Sequence, residues 1–188
     1  MNALLNRREV VHRLLRDRGD LLVIAGLGAP AWDVAAAGDH PLTFPLWGAM
    51  GGAAMVGLGV ALAQPDRRVV VITGDGELLM GLGALATIAV QRVRNLSIVV
   101  LDNERYGETG MQPTHTAYGV DLAGMAKCAG FAHAVRVASP SAVTRLHTLI
   151  TRGDGPVFAQ VKVASEPLPL VLPPRNAVLL RERFREAL

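Results

Sequence analysis

The sequence predicts a doubly wound α/β domain, a parallel sheet with helices on both faces. Three observations predict it. Short β-branched runs alternate with helix-length segments along the chain. The runs are continuously apolar rather than alternating, the pattern of strands buried on both faces. Of the 188 residues, 51% are hydrophobic and 19% charged, which suits one buried core and excludes a disordered chain.

The first twenty residues, MNALLNRREVVHRLLRDRGD, are charged throughout and read as an amphipathic helix rather than a signal peptide. A strand over Leu21–Ala25 leads into the turn Gly26-Leu27-Gly28-Ala29-Pro30 and a helix over Ala31–Ala37. The turn hints at a dinucleotide fingerprint, but it lacks the third glycine and the later acidic residue that motif requires, so close helix–strand packing explains it better. Pro41–Pro65 carries no charge, yet its three prolines and five glycines suit a packed interior helix over Gly48–Ala63, not a membrane span. Strands over Arg68–Thr73 and Leu96–Leu101 bracket a helix over Glu77–Gln91. Weaker strands at Ala132–Val137 and Val157–Val163 follow, with helices over Asp121–Ala129 and Ser141–Thr151. Ser165–Arg175 is proline-rich and should run extended over the surface. Asn176 can cap a last helix with Val178, Leu179, Phe184 and Leu188 near one face. The expected division is a domain over 1–164 and a strap and helix over 165–188, packed on the same domain or on a partner.

Several function classes are disfavoured. The net charge is +3, but 17 of the 19 cations are scattered arginines and only 4% of residues are aromatic, a poor platform for nucleic acid. Cys128 is the only cysteine, which excludes a disulfide framework, a cysteine-based zinc site and a four-cysteine cluster within the chain, and makes a cytoplasmic setting the simple expectation. His12, His40, His133 and His147 show no metal-ligand spacing.

The chemistry lies between Arg68 and Gly110. A strand ends at Thr73, Gly74-Asp75-Gly76 turns, and a helix starts near Glu77; the next strand ends at Leu101, with Asp102-Asn103 beyond it. In a right-handed βαβ unit both turns emerge at the carboxyl edge of the sheet, where open α/β folds bind ligands. Asp75 and Asn103, 28 positions apart, should therefore meet. A carboxylate, an amide oxygen and a backbone carbonyl suit Mg²⁺, and the free N–H groups beside Gly76 and Glu77 suit a diphosphate.

Gly74-Asp75-Gly76 followed by Asn103 resembles the diphosphate-binding domain of thiamine diphosphate enzymes. Gly48-Ala49-Met50-Gly51 resembles the turn that touches the cofactor's aminopyrimidine in that family. The stretch LDNERYGETGMQPTH resembles the sulfopyruvate and phosphonopyruvate decarboxylase branch. The resemblance implies Mg²⁺ ligands Asp75, Asn103 and the Arg105 carbonyl. It implies cofactor contacts at Gly48, Met50, Gly74, Asp75, Gly76, Glu77, Asn103, Arg105, Tyr106 and Gly107. Glu77 departs from the small residue common there, so its carboxylate should turn away from the diphosphate or pair with a cation; Met111 also departs, standing where a glycine is common.

Family members draw an essential glutamate from a second, pyrimidine-binding domain that the present sequence does not resemble. The resemblance therefore implies a β-type subunit, homodimeric within a hetero-oligomer, completed by an α-type subunit and acting as a 2-oxo acid decarboxylase without nucleic-acid or membrane partners. Arg105, Glu108, Thr109, Gln112 and His115 form the candidate substrate loop, with Glu108 and His115 the catalytic candidates on this chain. A carboligase half-subunit and a non-catalytic cofactor-binding homologue are the alternatives.

Overall fold

The computed structural model describes residues 4–188. A helix α1 (Arg7–Leu14) precedes strand β1 (Leu22–Ala25), helix α2 (Ala29–Ala36), strand β2 (Thr43–Pro45), helix α3 (Ala53–Ala63) and strand β3 (Val69–Gly74). Helices α4 (Asp75–Met80) and α5 (Ala84–Gln91) lead to strand β4 (Leu96–Asp102). A small hairpin, β5 (Arg105–Tyr106) with β6 (Gln112–Pro113), follows. Then come α6 (Leu122–Ala129), β7 (His133–Val137), α7 (Pro140–Arg152), β8 (Val157–Lys162) and α8 (Ala177–Ala187).

Six strands form one sheet in the order β2-β1-β3-β4-β8-β7, with every pairing parallel. The expected doubly wound architecture is therefore present. Strand periodicity divides the core in two. Leu22, Ile24, Val71, Ile98 and Phe158 face α3, α5, α6 and α8. Val23, Val70, Ile72, Val99 and Val161 face α1, α2 and α7. Full burial of such side chains contributes about 1.5–3 kcal/mol each. No helix among the described residues is long and apolar enough to cross a membrane.

Several elements differ from expectation. The expected helix over Gly48–Ala63 starts only at Ala53, because Ala49 (φ 60°) and Gly51 (φ 85°) turn the preceding chain. The expected helix over Glu77–Gln91 breaks at Gly81. A Cβ on Gly81 would collide with the Gly51 carbonyl, so the break is where two turns touch backbone to backbone. β2 has no counterpart in the sequence reading; it is a three-residue edge strand ending in proline, which an edge tolerates. On α8 the buried pair is Leu180 and Phe184, while Val178, Leu179 and Leu188 are exposed.

The strap and α8 pack on this chain's own sheet edge. Phe184 meets Phe44 at 5.5 Å between ring centres. The Trp47 indole donates to the Pro174 carbonyl at 2.9 Å, and Arg183 forms a bidentate pair with Asp39. The expected Asn176 cap forms, accepting the Leu179 N–H; Asp121, expected as the first helical residue, instead caps α6 by accepting the Gly124 N–H.

Candidate functional site

Strand order reverses between β1 and β3, since β1 is followed by β2 on one side and β3 on the other. Side chains and turns at the carboxyl ends of such strands frame a crevice. Here the turns after β1, β3 and β4, with Met50 ahead of α3 and Arg7 from α1, line one open cleft.

Asp75 opens α4 and is 1% exposed. Its Oδ2 accepts the Thr114 hydroxyl at 2.5 Å and lies 3.2 Å from the Thr116 hydroxyl. Thr116 also lies 2.7 Å from Asp102 Oδ1. Asp102, fully buried at the end of β4, is held by Gln160 Nε2 at 2.6 Å and Lys162 Nζ at 2.9 Å. One face of Asp75 is thus fixed by a buried polar chain. No cation pairs with Asp75 among the described residues. Burial pushes its carboxyl above the ordinary range, the Thr114 hydrogen bond opposes this, and the Asp102 charge adds to it.

The β5–β6 hairpin explains how threonines 39 and 41 positions away in sequence reach Asp75. It folds back by pairing Arg105 with Pro113 and Tyr106 with Gln112, and the Thr114 N–H donates to the Glu104 carbonyl at 3.0 Å. Asn103 braces the start of the hairpin: its Oδ1 accepts the Arg105 N–H at 3.0 Å. Glu104 takes φ 62° to make the bend. Gly76 is small for the sake of this hairpin, because a Cβ there would stand 2.6 Å from the Tyr106 ring. Gly28 likewise gives room to Glu108, whose Oε1 would be 2.6 Å from its Cβ.

Glu77 turns its side chain inward. The Thr73 hydroxyl donates to Oε2 at 2.6 Å and the Ala53 N–H to Oε1 at 3.3 Å. Its carboxyl is raised by burial, against the lowering influence of these donors and of the Leu27 backbone. Of the two dispositions expected for Glu77, it takes the one that turns away from the cleft, without a cation. The glycine turn after β1 serves the same end: a Cβ on Gly26 would collide with the Glu77 carboxylate. Helix–strand closeness alone does not account for that turn.

The structure brings Met50, Gly74, Asp75, Gly76, Glu77, Asn103, Arg105, Tyr106, Gly107, Glu108 and Thr109 to the cleft. Gly48, Gln112 and His115 are exposed and lie outside its lining. Sequence reasoning missed Arg7 in the lining, and Thr116, Asp102, Gln160 and Lys162 behind Asp75. Thr116 lies one residue beyond the stretch LDNERYGETGMQPTH, which ends at His115. Arg7 gives no signal of spacing at all. No group of three or more His, Cys, Asp or Glu side chains placed to hold a metal exists among the described residues, so an ion here would depend on amide and carbonyl oxygens beside Asp75.

A parallel α/β sheet with a carboxylate-bearing cleft at its switch point is the architecture of a ligand-binding α/β domain. Residues 28–161 match the family described as thiamine pyrophosphate enzyme, C-terminal TPP binding domain, and the chain belongs to that family. It is 42% identical over 160 residues to the sulfopyruvate decarboxylase subunit beta of Methanothermobacter thermautotrophicus, covering 85% of this chain and 83% of that protein. It is 35% identical over 165 residues to the phosphonopyruvate decarboxylase of Streptomyces hygroscopicus, covering 87% of this chain but 41% of that protein. The crystal structure of benzoylformate decarboxylase from Polynucleobacter necessarius superposes with a TM-score of 0.73 at 20% identity, over 88% of this chain and 34% of that one.

Proposed function

We propose that this chain is the diphosphate-binding subunit of a thiamine diphosphate- and Mg²⁺-dependent 2-oxo acid decarboxylase, completed by a separate pyrimidine-binding subunit. The single observation that carries this reading is the meeting of Asp75 and Asn103 in one cleft, with the Asp75 carboxylate buried and uncompensated by any cation among the described residues. A buried carboxylate of this kind calls for a positive partner. The donor chemistry fits Mg²⁺: Asp75, Asn103 and the Arg105 carbonyl offer hard oxygens and leave positions for phosphate and water. The Gly76 and Glu77 N–H groups, at the same turn, suit the diphosphate. Met50, half exposed at the cleft, is the side chain on this subunit that would meet the ring system.

When bound, thiamine diphosphate supplies the nucleophilic carbon and the electron sink that release carbon dioxide from a 2-oxo acid. The chain's own residues supply position and charge. Thr114 and Thr116 hold one oxygen of Asp75, Glu77 ties the Asp75 turn to the start of α3, and the β5–β6 hairpin presents Arg105 and Glu108 at the mouth.

The relatives' names support an anionic-tailed 2-oxo acid as substrate, and the 'subunit beta' in the name of the M. thermautotrophicus protein supports a split enzyme. A soluble intracellular hetero-oligomer containing two copies of this chain is the assembly we infer. The test is co-expression with a pyrimidine-domain protein encoded beside it. Carbon dioxide release is then measured from pyruvate, sulfopyruvate and phosphonopyruvate with Mg²⁺ and thiamine diphosphate. Release from an anionic-tailed substrate, dependent on both proteins, is expected; an intact complex that releases none contradicts the reading.

A further inference from the structure

Arg7 is a buried cation in the wall of the cleft, and it is under-neutralised. It stands first on α1 with its side chain 8% exposed. Its carboxylate partner among the described residues is Asp33, fully buried on α2. Asp33, however, serves two arginines. Arg8 takes Oδ1 at 3.0 Å and also donates to the Pro169 carbonyl at 2.8 Å. Arg7 reaches Oδ2 only at 3.4 Å, from both Nη1 and Nε. Two guanidinium charges on one carboxylate leave one positive charge in excess, and of the two arginines it is Arg7 that faces the cleft. Keeping such a charge out of water is costly unless an anion meets it.

Arg7 is also rigidly placed. The chain just before α1 bridges the end of β8, Leu5 against Val163, and its Leu5 carbonyl accepts the Ala164 N–H at 2.9 Å. α1 packs on the sheet face that carries α2 and α7, whereas Met50 leads into α3 on the opposite face. Met50 and Arg7 therefore reach the cleft from opposite faces of the sheet, and both line it together with the Asp75 turn. A guanidinium is the side chain whose donor fork matches phosphate oxygens.

We infer that Arg7 holds the terminal phosphate of the bound diphosphate and sets the preference for thiamine diphosphate over thiamine monophosphate and thiamine. This rests on the cofactor reading above and adds to it a residue that lies 68 positions before Asp75 in sequence. Mg²⁺ and the Asp75 turn grip the diphosphate; Arg7 reads its far end.

The experiment is calorimetric titration of the assembled two-subunit protein, with saturating Mg²⁺, against thiamine diphosphate, thiamine monophosphate and thiamine in turn. Arg7→Met keeps the apolar stem and removes the charge; Arg7→Lys keeps the charge and removes the fork. Arg7→Met should weaken thiamine diphosphate about 10- to 100-fold while changing the other two less than about threefold, and Arg7→Lys should recover part of the loss. Equal weakening of all three ligands would mean a purely structural role and overturn the assignment, as would unchanged affinity for the diphosphate. If Arg7→Met does not assemble, Arg7→Lys alone decides, since a residue that reads the terminal phosphate must lose several-fold in preference when its fork is removed. Wild-type protein that binds none of the three overturns the cofactor reading itself, whereas wild type that binds the diphosphate with a variant that matches it overturns only Arg7.

Discussion

Asp75 shows how much of a site depends on residues that never touch a ligand. A carboxylate at 1% exposure needs its orientation fixed before an ion arrives, and Thr114 fixes it. Thr114→Val preserves shape and removes the donor. We expect it to weaken Mg²⁺ in support of cofactor binding by about 10-fold or more, measured by titrating Mg²⁺ at fixed thiamine diphosphate, with little change in the fold. His40 offers a separate residue-scale test. Its Nδ1 accepts the Leu42 N–H at 3.1 Å; burial and the neighbouring Arg18 charge hold its pKa below the usual 6.5, with Asp39 opposing and Arg183 assisting. The unfolded chain then binds the proton more readily, so stability falls as pH drops below about 6.5 towards the native-state pKa. His40→Asn keeps an acceptor without titrating, and its melting temperature should fall less than that of wild type between pH 7 and pH 5.5. The site residues legible in sequence, Asp75, Gly76 and Asn103, are those placed by local strand–turn order. Arg7, Thr116 and Lys162 were illegible because the β5–β6 hairpin, the β4–β8 pairing and the seating of α1 beside β8 bring them in, and none of these leaves a spacing in the chain.

Elements were easiest to read where burial on both faces writes a continuous apolar run. β1, β3, β4 and β8 fall within a residue or so of their expected ends for that reason. The single helix expected over Glu77–Gln91 is two helices, because an apolar run through Gly81-Leu82-Gly83 carries no mark of the Gly51 backbone that presses on it. The same contact yields a prediction. Gly81→Ala would drive a methyl group into the Gly51 carbonyl and force the Met50 turn away from the Asp75 turn. We expect a stability loss of about 1–3 kcal/mol in denaturant titration, accompanied by weaker thiamine diphosphate binding. A variant with wild-type stability and affinity would show that the two turns are not locked together. β2 and the β5–β6 hairpin, at two or three residues a strand, are too short for periodicity to register.

At the scale of the whole molecule, doubly wound topology alone places the ligand edge, and the sequence motif alone places Asp75 and Asn103 on it; agreement between the two is what supports the proposal that the cleft is the cofactor site. The exposure of Met50 at the cleft leaves room for the proposed pyrimidine-binding subunit. The most direct test of the central claim is the affinity of the assembled protein for thiamine diphosphate, measured with Mg²⁺, with the ion chelated away, and in Asp75→Ala. Tight binding only when Mg²⁺ is present, weakened about 100-fold or more by Asp75→Ala, is the predicted result. Equal affinity under all three conditions would contradict it.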